Sequence, residues 1–371
     1  MVRWNGAWIM AILATVSCGD RASPGRSEAV PAVGDTVAMV DLKVGFVYVG
    51  PIGDAGWTFA HDQGRRALET RYRGLKTVYV ENVKEGADAE RVLTRLAQEG
   101  CALVFATSFG YMDAVLATAA KYPRVAFMHA TGFKRDANVG TYFGRAYQTI
   151  YLAGLAGGAL TTSGKIGFVA PVPIPEIIRH INAFTLGARE ANPSCTVHVV
   201  WTNAWYDPAA EKDAALSLMD TGCDVIMTEG DSPAPLQAAE ERGAFAIGYN
   251  SDARAFAPTR FITAAVWDWS VLYSRIVDEV LAGIWKAEDY WWGIETGITK
   301  LAPWGPAVPE TVRQRVGTRQ REITDGSFDV FHGPIIRQDG TEAYPAGARA
   351  TDEELLSMSY FVQGVAGTIP K

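Results

Sequence analysis

Carboxylates, amides and aromatic rings recur together along this chain, each time just after a short apolar run. Asp54 and Trp57 follow the first such run, Ser108, Phe109 and Tyr111 the third, and His129 the fourth. In the second half, Asn203, Trp205 and Asp207 form one group, and Glu229 and Asp231 another. Tyr249, Asn250 and Asp252 come next, then Trp267, Asp268 and Trp269. Rings offer flat faces for stacking, and carboxylates accept hydrogen bonds from ring N–H and amino groups. The set suits a cleft for a flat, donor-rich heterocycle. The plain alternative is structural, because Asp and Asn are preferred helix N-caps and Trp often sits in a core. On the binding reading, the expected contacts are Asp54, Trp57, Ser108, Phe109, His129, Asp231, Asn250, Asp252 and Trp267.

Signatures of catalysis do not accompany these groups. There is no G-x-S-x-G elbow, and no G-x-G-x-x-G follows a strand. "ALTTSGKIG" places Ala159 where a phosphate loop has its first Gly, and Ile166 where Ser or Thr must hold Mg²⁺. His61, His129, His180, His198 and His332 are dispersed without the short spacings of a zinc site. Gly154, Gly157 and Gly158 in "LAGLAGGAL" read as close helix packing. Asp54 with His61 leaves a secreted hydrolase or transferase as the competing class. The balance favours a binder with no catalytic residue, no cofactor and no metal.

The elements that must position these groups are regular. Strand runs are Lys43–Val49, Thr77–Val80, Leu103–Ala106, Arg124–Met128, Lys165–Val169, Val197–Trp201, Val225–Thr228, Ala244–Gly248 and Arg260–Ala265. Helical patterns fill the gaps, among them Thr58–Tyr72, Asp88–Gln98, Tyr111–Lys121, Thr149–Thr161, Ile177–Ala191, Pro208–Thr221, Pro235–Arg242 and Ser270–Ala282. This alternation predicts α/β architecture with parallel sheets, divided into two lobes. The expected division is 38–143 with about 250–285, and 144–249 with about 286–371. Tyr142–Gly144 marks a first crossing, and the irregular tail after Ala282 packs across the hinge. In open parallel sheets ligands bind beyond the carboxyl ends of strands, which is where the polar and aromatic groups fall.

The chain has 371 residues, 48% hydrophobic and 20% charged, which are globular values. A net charge of -7 argues against nucleic acid as a partner. Residues 1–17 read as an export signal: one Arg, an apolar run too short to span a bilayer, then "ATVSC". The small residues before Cys18 resemble a bacterial lipobox, which predicts lipidation of Cys18 and anchoring at the cell membrane. Residues 18–37, rich in Gly, Pro and Ser, read as a tether. Cys195 and Cys223 are open to pairing in an oxidising compartment, and equally to being buried thiols.

"KVGFVYVGPIGDAGWTFAHDQGRRALE", from Lys43 to Glu69, resembles the basic membrane protein family. So do "TYFGRAYQTIYLAGLAGGAL", "GKIGFVAP", "VIMTEGD", "AIGYNSDARAF" and "WWGIETGITKLAPWG". The family's members are lipoproteins that bind purine nucleosides or nucleobases for ABC importers. The resemblance implies a type I periplasmic-binding-protein fold: two doubly wound α/β lobes, a hinge of three crossings and a ligand between the lobes. It implies an ABC permease and ATPase as partners, and a monomer. Trp57 matches the aromatic that stacks on the base. Asn250 matches a position usually filled by Asp, with Asp252 retained. The family's nucleoside binders have Asp where His129 stands and Lys where Trp267 stands, on the ribose side. That difference favours a free base, with adenine the first guess. A purine nucleoside, or a role as ligand-sensing partner of a membrane receptor, is the alternative.

Overall fold

The computed structural model describes residues 41–370. The expected export signal 1–17, Cys18 and the expected tether 18–37 lie outside the described residues. The described chain begins with β1 (Lys43–Val47), α1 (Trp57–Arg71), β2 (Lys76–Val80), α2 (Ala87–Gln98) and β3 (Leu103–Ala106). α3 (Met112–Ala119), β4 (Ala126–Ala130) and β5 (Val139–Gly144) complete this first run. The second run comprises α4 (Tyr147–Leu160), β6 (Lys165–Ala170), α5 (Pro175–Ala191), β7 (Thr196–Trp201) and α6 (Pro208–Asp220). It continues with β8 (Val225–Thr228), α7 (Ala234–Arg242), β9 (Phe245–Asn250) and β10 (Phe261–Trp267). The chain then adds α8 (Trp269–Leu281), β11 (Asp289–Trp292), β12 (Thr299–Leu301), α9 (Glu310–Thr324) and the β13 (Ile335–Ile336)–β14 (Glu342–Tyr344) pair. α10 (Asp352–Leu356) and β15 (Val365–Ala366) end it.

Two sheets result. The first has the order β11-β5-β4-β3-β1-β2, and the second β12-β10-β9-β8-β6-β7-β15. β1, β3 and β4 are almost wholly buried apolar runs, as strands covered on both faces must be. In each lobe the strand order reverses once, between β1 and β3 and between β6 and β8. Helices there leave opposite faces of the sheet, and a crevice opens beyond the strand ends.

Among the described residues the chain crosses between lobes three times, after β5, between β10 and α8, and between β11 and β12. The first crossing follows Gly144, the last residue of β5. The other two are displaced from the expected boundaries near 250 and 286. β10 stays in the second lobe because it pairs parallel with β9, and β11 returns to the first because it pairs parallel with β5. The tail after Ala282 is more ordered than its composition suggests, holding β11 to β15, α9 and α10. A Cβ on Gly154 or Gly158 would stand 2.2 Å from a carbonyl oxygen of α5, so these glycines let α4 and α5 touch backbone to backbone. Cys101, Cys195 and Cys223 are buried free thiols.

Candidate functional site

A cavity lies between the lobes, where both sheets end. The first lobe lines it with Val49 after β1, Trp57 on α1, Ser108 and Phe109 after β3, and Thr131 after β4. The second contributes Glu176 and Ile177 on α5, Trp205 after β7, Glu229 and Asp231 after β8, and Tyr249 and Asn250 at the end of β9. The backbone turns sharply at this rim. Ala55, Thr131 and Asn250 have φ of 63°, 60° and 68°. A left-handed conformation is unfavourable for a β-branched residue such as Thr131, and strain of this kind gathers at functional sites.

The N-terminus of α1 is the centre of the arrangement. Its first-turn N–H groups have no partners within the helix and carry the positive end of the dipole. Asp54 accepts from three backbone N–H groups: Gly56 at 2.8 Å, Thr58 at 3.1 Å and Phe59 at 2.9 Å. The fourth first-turn N–H, of Trp57, donates across the cleft to Asp231 at 3.0 Å. Burial raises the Asp54 carboxyl above its ordinary range despite these donors. Burial raises Asp231 further, with Asp54 adding repulsion. Trp57 is fixed by its indole N–H, which donates to the Thr107 carbonyl at 2.6 Å.

The polar wall belongs to the second lobe. Asp231 Oδ1 also accepts from Asn250 Nδ2 at 3.0 Å, and Asn250 Oδ1 accepts from Trp267 Nε1 at 3.1 Å. Glu229 is fully buried, and its carboxyl is raised first by burial and then by nearby Glu176. Burial pushes Glu176 up to about 7, against the pull of Arg179. Glu229 Oε1 and the Tyr249 hydroxyl are buried without a hydrogen-bond partner. Buried polar groups are normally satisfied, so unpaired atoms on a cavity wall mark where a ligand's polar edge fits.

Of the nine expected contacts, Trp57, Ser108, Phe109, Asp231 and Asn250 line the cavity. The Ser108 hydroxyl is already committed, donating to Glu85 at 2.7 Å. Asp54 is the cap described above. His129 stands behind the wall, its Nε2 donating to the Ser108 carbonyl at 2.7 Å, and burial pushes its imidazole down to about 4. Asp252 faces outward in an ion pair with Arg254 at 2.8 Å. Trp267 is not a cavity wall. It stacks on Trp269 with centroids 4.5 Å apart, beside the second crossing. His61 is buried, stacked on Trp269 at 4.4 Å, and shares no contact with Asp54 that a catalytic pair would need. Trp205, Glu229 and Tyr249 fall in the post-strand groups noted in the sequence. Glu176, Ile177, Thr131 and Val49 do not. The signal for Glu176 and Ile177 was the same one, since "PVPIPEII" follows β6.

A larger outer chamber continues from the cavity, sharing Phe109, Thr131 and Glu176 with it. Phe133 and Arg135 bound it from the first lobe, and Arg179 and Leu356 from the second. Among the described residues no helix is long and apolar enough to cross a membrane.

The pattern of the Bmp family, described as ABC transporter substrate-binding protein PnrA-like, matches residues 41–327. A purine-binding protein of Brucella abortus is 43% identical over 331 residues, spanning 89% of this chain and 94% of its own. A protein of Haloferax volcanii, provisionally named an ABC transporter glucose-binding protein, is 40% identical over 341 residues, spanning 92% and 83%. A solved ABC transporter solute-binding protein from Aeropyrum pernix superimposes with a TM-score of 0.69 at 18% identity, covering 86% of this chain and 98% of its own. That likeness shows the fold, a type I periplasmic-binding-protein architecture. With its motifs, its two-lobed fold and most of its length in agreement, the chain belongs to the Bmp family of ABC transporter substrate-binding proteins.

Proposed function

We propose that the chain binds a purine nucleobase between its lobes for an ABC importer, with adenine the first ligand to test. One observation carries this reading. Glu176, Glu229 and Asp231 reach a single aromatic-walled cavity, and no Lys or Arg lines it among the described residues. Buried carboxyls are best satisfied by a ligand that brings donors, and among the described residues no cation lines the cavity to hold an anion. A purine has N–H and amino donors around a flat ring that fits against Trp57, Phe109, Trp205 and Tyr249. The purine-binding name of the Brucella relative agrees with this. On this reading the protein performs no bond chemistry. It acts as a monomer, exported and lipid-anchored through Cys18, and its closed, loaded form is what the permease and ATPase accept.

A second reading, a purine nucleoside, is favoured by the outer chamber, which offers room for a ring substituent. Neutral sugars also donate hydrogen bonds, so glucose is a necessary control. The test is native mass spectrometry of freshly purified protein, followed by calorimetry with adenine, guanine, hypoxanthine, adenosine, guanosine and glucose. Adenine is expected to bind most tightly. Adenosine binding as tightly or more tightly moves the assignment to nucleosides. Glucose binding without purine binding overturns it.

A further inference from the structure

Glu229 is the carboxylate the cavity holds most completely out of water, with 0% side-chain exposure. Its oxygens Oε1 and Oε2 stand 3.2 and 3.3 Å from Nδ1 of His180. One ring nitrogen carries one proton and satisfies one oxygen. Oε1 is left without a hydrogen-bond partner on the cavity wall. His180 is itself buried, its ring roughly parallel to Phe143 at 6.4 Å and edge-on to Tyr249 at 5.9 Å. The aromatic packing fixes the imidazole, and the imidazole fixes the carboxylate. The other two acids are placed differently. Asp231 Oδ1 is occupied by the Trp57 N–H and Asn250. Glu176 stands at the junction with the outer chamber.

We infer that Glu229 decides which purine edge the cavity accepts, taking an exocyclic amino group on its free oxygen, and that His180 is the residue that positions it. The inference rests on the purine reading above. An amino group gives the oxygen a donor. Against the ionised carboxylate, the form an amino donor selects, an oxo group at the same ring position sets two acceptors face to face, and binding it requires the carboxyl to keep its proton. Sites built to hydrogen-bond a group reject its mismatch far more strongly than they reject a change of size.

The experiment is calorimetry on the full-length protein with adenine, hypoxanthine and unsubstituted purine. The wild type is expected to prefer adenine over hypoxanthine by at least about tenfold, the scale of one unpaired buried polar group. Glu229→Gln keeps the shape but presents an N–H₂ to the cavity once its oxygen takes the His180 bond, so the preference falls to within about threefold or reverses. His180→Phe keeps the ring packing and removes the donor, and it loses the preference. His180→Asn restores an N–H near the Nδ1 position and retains it. An adenine preference unchanged in both Glu229→Gln and His180→Phe overturns the inference alone. A wild type that binds no purine overturns the functional reading and this inference with it. The wild type supplies a measurement that needs no variant. Hypoxanthine should bind more weakly than unsubstituted purine, because an opposed acceptor is worse than a missing donor, and the reverse order overturns the inference.

Discussion

The backbone N–H of Trp57 donates to Asp231 Oδ1 at 3.0 Å, joining positions 174 residues apart and the two lobes to each other. The Ser251 hydroxyl donates to the Ala55 carbonyl beside it. From Asp231 the hydrogen bonds run through Asn250 to Trp267, which lies at the second crossing. The cavity wall, the interlobe latch and the hinge are thus one connected set of groups. A ligand that orders Asp231 also orders the contact that holds the lobes together.

Gly56 tests that latch. A Cβ there would stand 2.6 Å from the Asp231 carbonyl oxygen and 2.7 Å from its Cα, both backbone atoms that cannot swing away. Gly56→Ala should therefore hold the lobes apart. Overpacking of this kind costs about 1–3 kcal/mol, or roughly five- to 150-fold in ligand affinity. Small-angle scattering should show a larger radius of gyration with ligand present than the wild type has. An unchanged radius and affinity would mean that the contact relaxes freely.

Trp57 has two roles, and its substitutions should separate them. A residue that only stacked on ligand would leave the empty protein unharmed when removed. Trp57 also anchors to the Thr107 carbonyl and meets Trp269 edge-on at 5.4 Å. Trp57→Ala should lower the melting temperature of the empty protein as well as the affinity. Trp57→Phe keeps a ring and loses the N–H, so it should cost about 1 kcal/mol of stability and retain most of the binding. Loss of affinity in Trp57→Ala at unchanged melting temperature would restore the simpler role.

Trp267→Lys is the change that sequence comparison marks as a switch toward nucleosides. The structure gives it a different outcome. The ring stacks on Trp269, bonds Asn250, and lies where a Cβ on Gly144 would approach it to 2.3 Å. An ammonium there would be buried without a partner and the stack would be lost. The variant should be destabilised by at least about 3 kcal/mol. Its adenosine-to-adenine affinity ratio should not move, and a rise of tenfold or more in that ratio would return Trp267 to the ribose side.

These cases show how far the sequence could be followed. β1, β3, β6 and β8 were legible because buried parallel strands are nearly continuous apolar runs. β5 was not, since the glycines of "VGTYFG" read as a crossing. β11 and β12 are short edge strands that owe their form to partners far away in the chain. The rule that ligand clefts form from the loops after strands led to Trp57, Ser108, Phe109, Asp231 and Asn250, which the structure places on the cavity wall. It failed between Asn250 and Asp252 because the left-handed turn at Asn250 points these near neighbours in opposite directions, one to the cavity and one to Arg254. It failed for Trp267 because an aromatic at a strand end fills a hinge as readily as a cleft.

The acids of the cavity should leave a signature in pH. Burial raises the Glu176 carboxyl from its ordinary 4.5 to about 7, so between those values the folded protein holds a proton that the unfolded chain has released. Where the folded state binds more protons, stability falls as pH rises, so this contribution is present below pH 4.5 and is lost by about pH 7. Glu229 and Asp231 are shifted in the same direction and act alike, while the buried His61, His129 and His180 are lowered and oppose them. The difference between wild type and Glu176→Gln isolates one group. In the empty protein, Glu176→Gln should gain melting temperature relative to wild type as the pH rises from about 5 to about 8. A bound donor ligand favours the ionised acid, so wild-type affinity for adenine should strengthen over the same interval, and the variant's should strengthen less. Parallel pH profiles for wild type and variant would show that Glu176 does not titrate against the ligand.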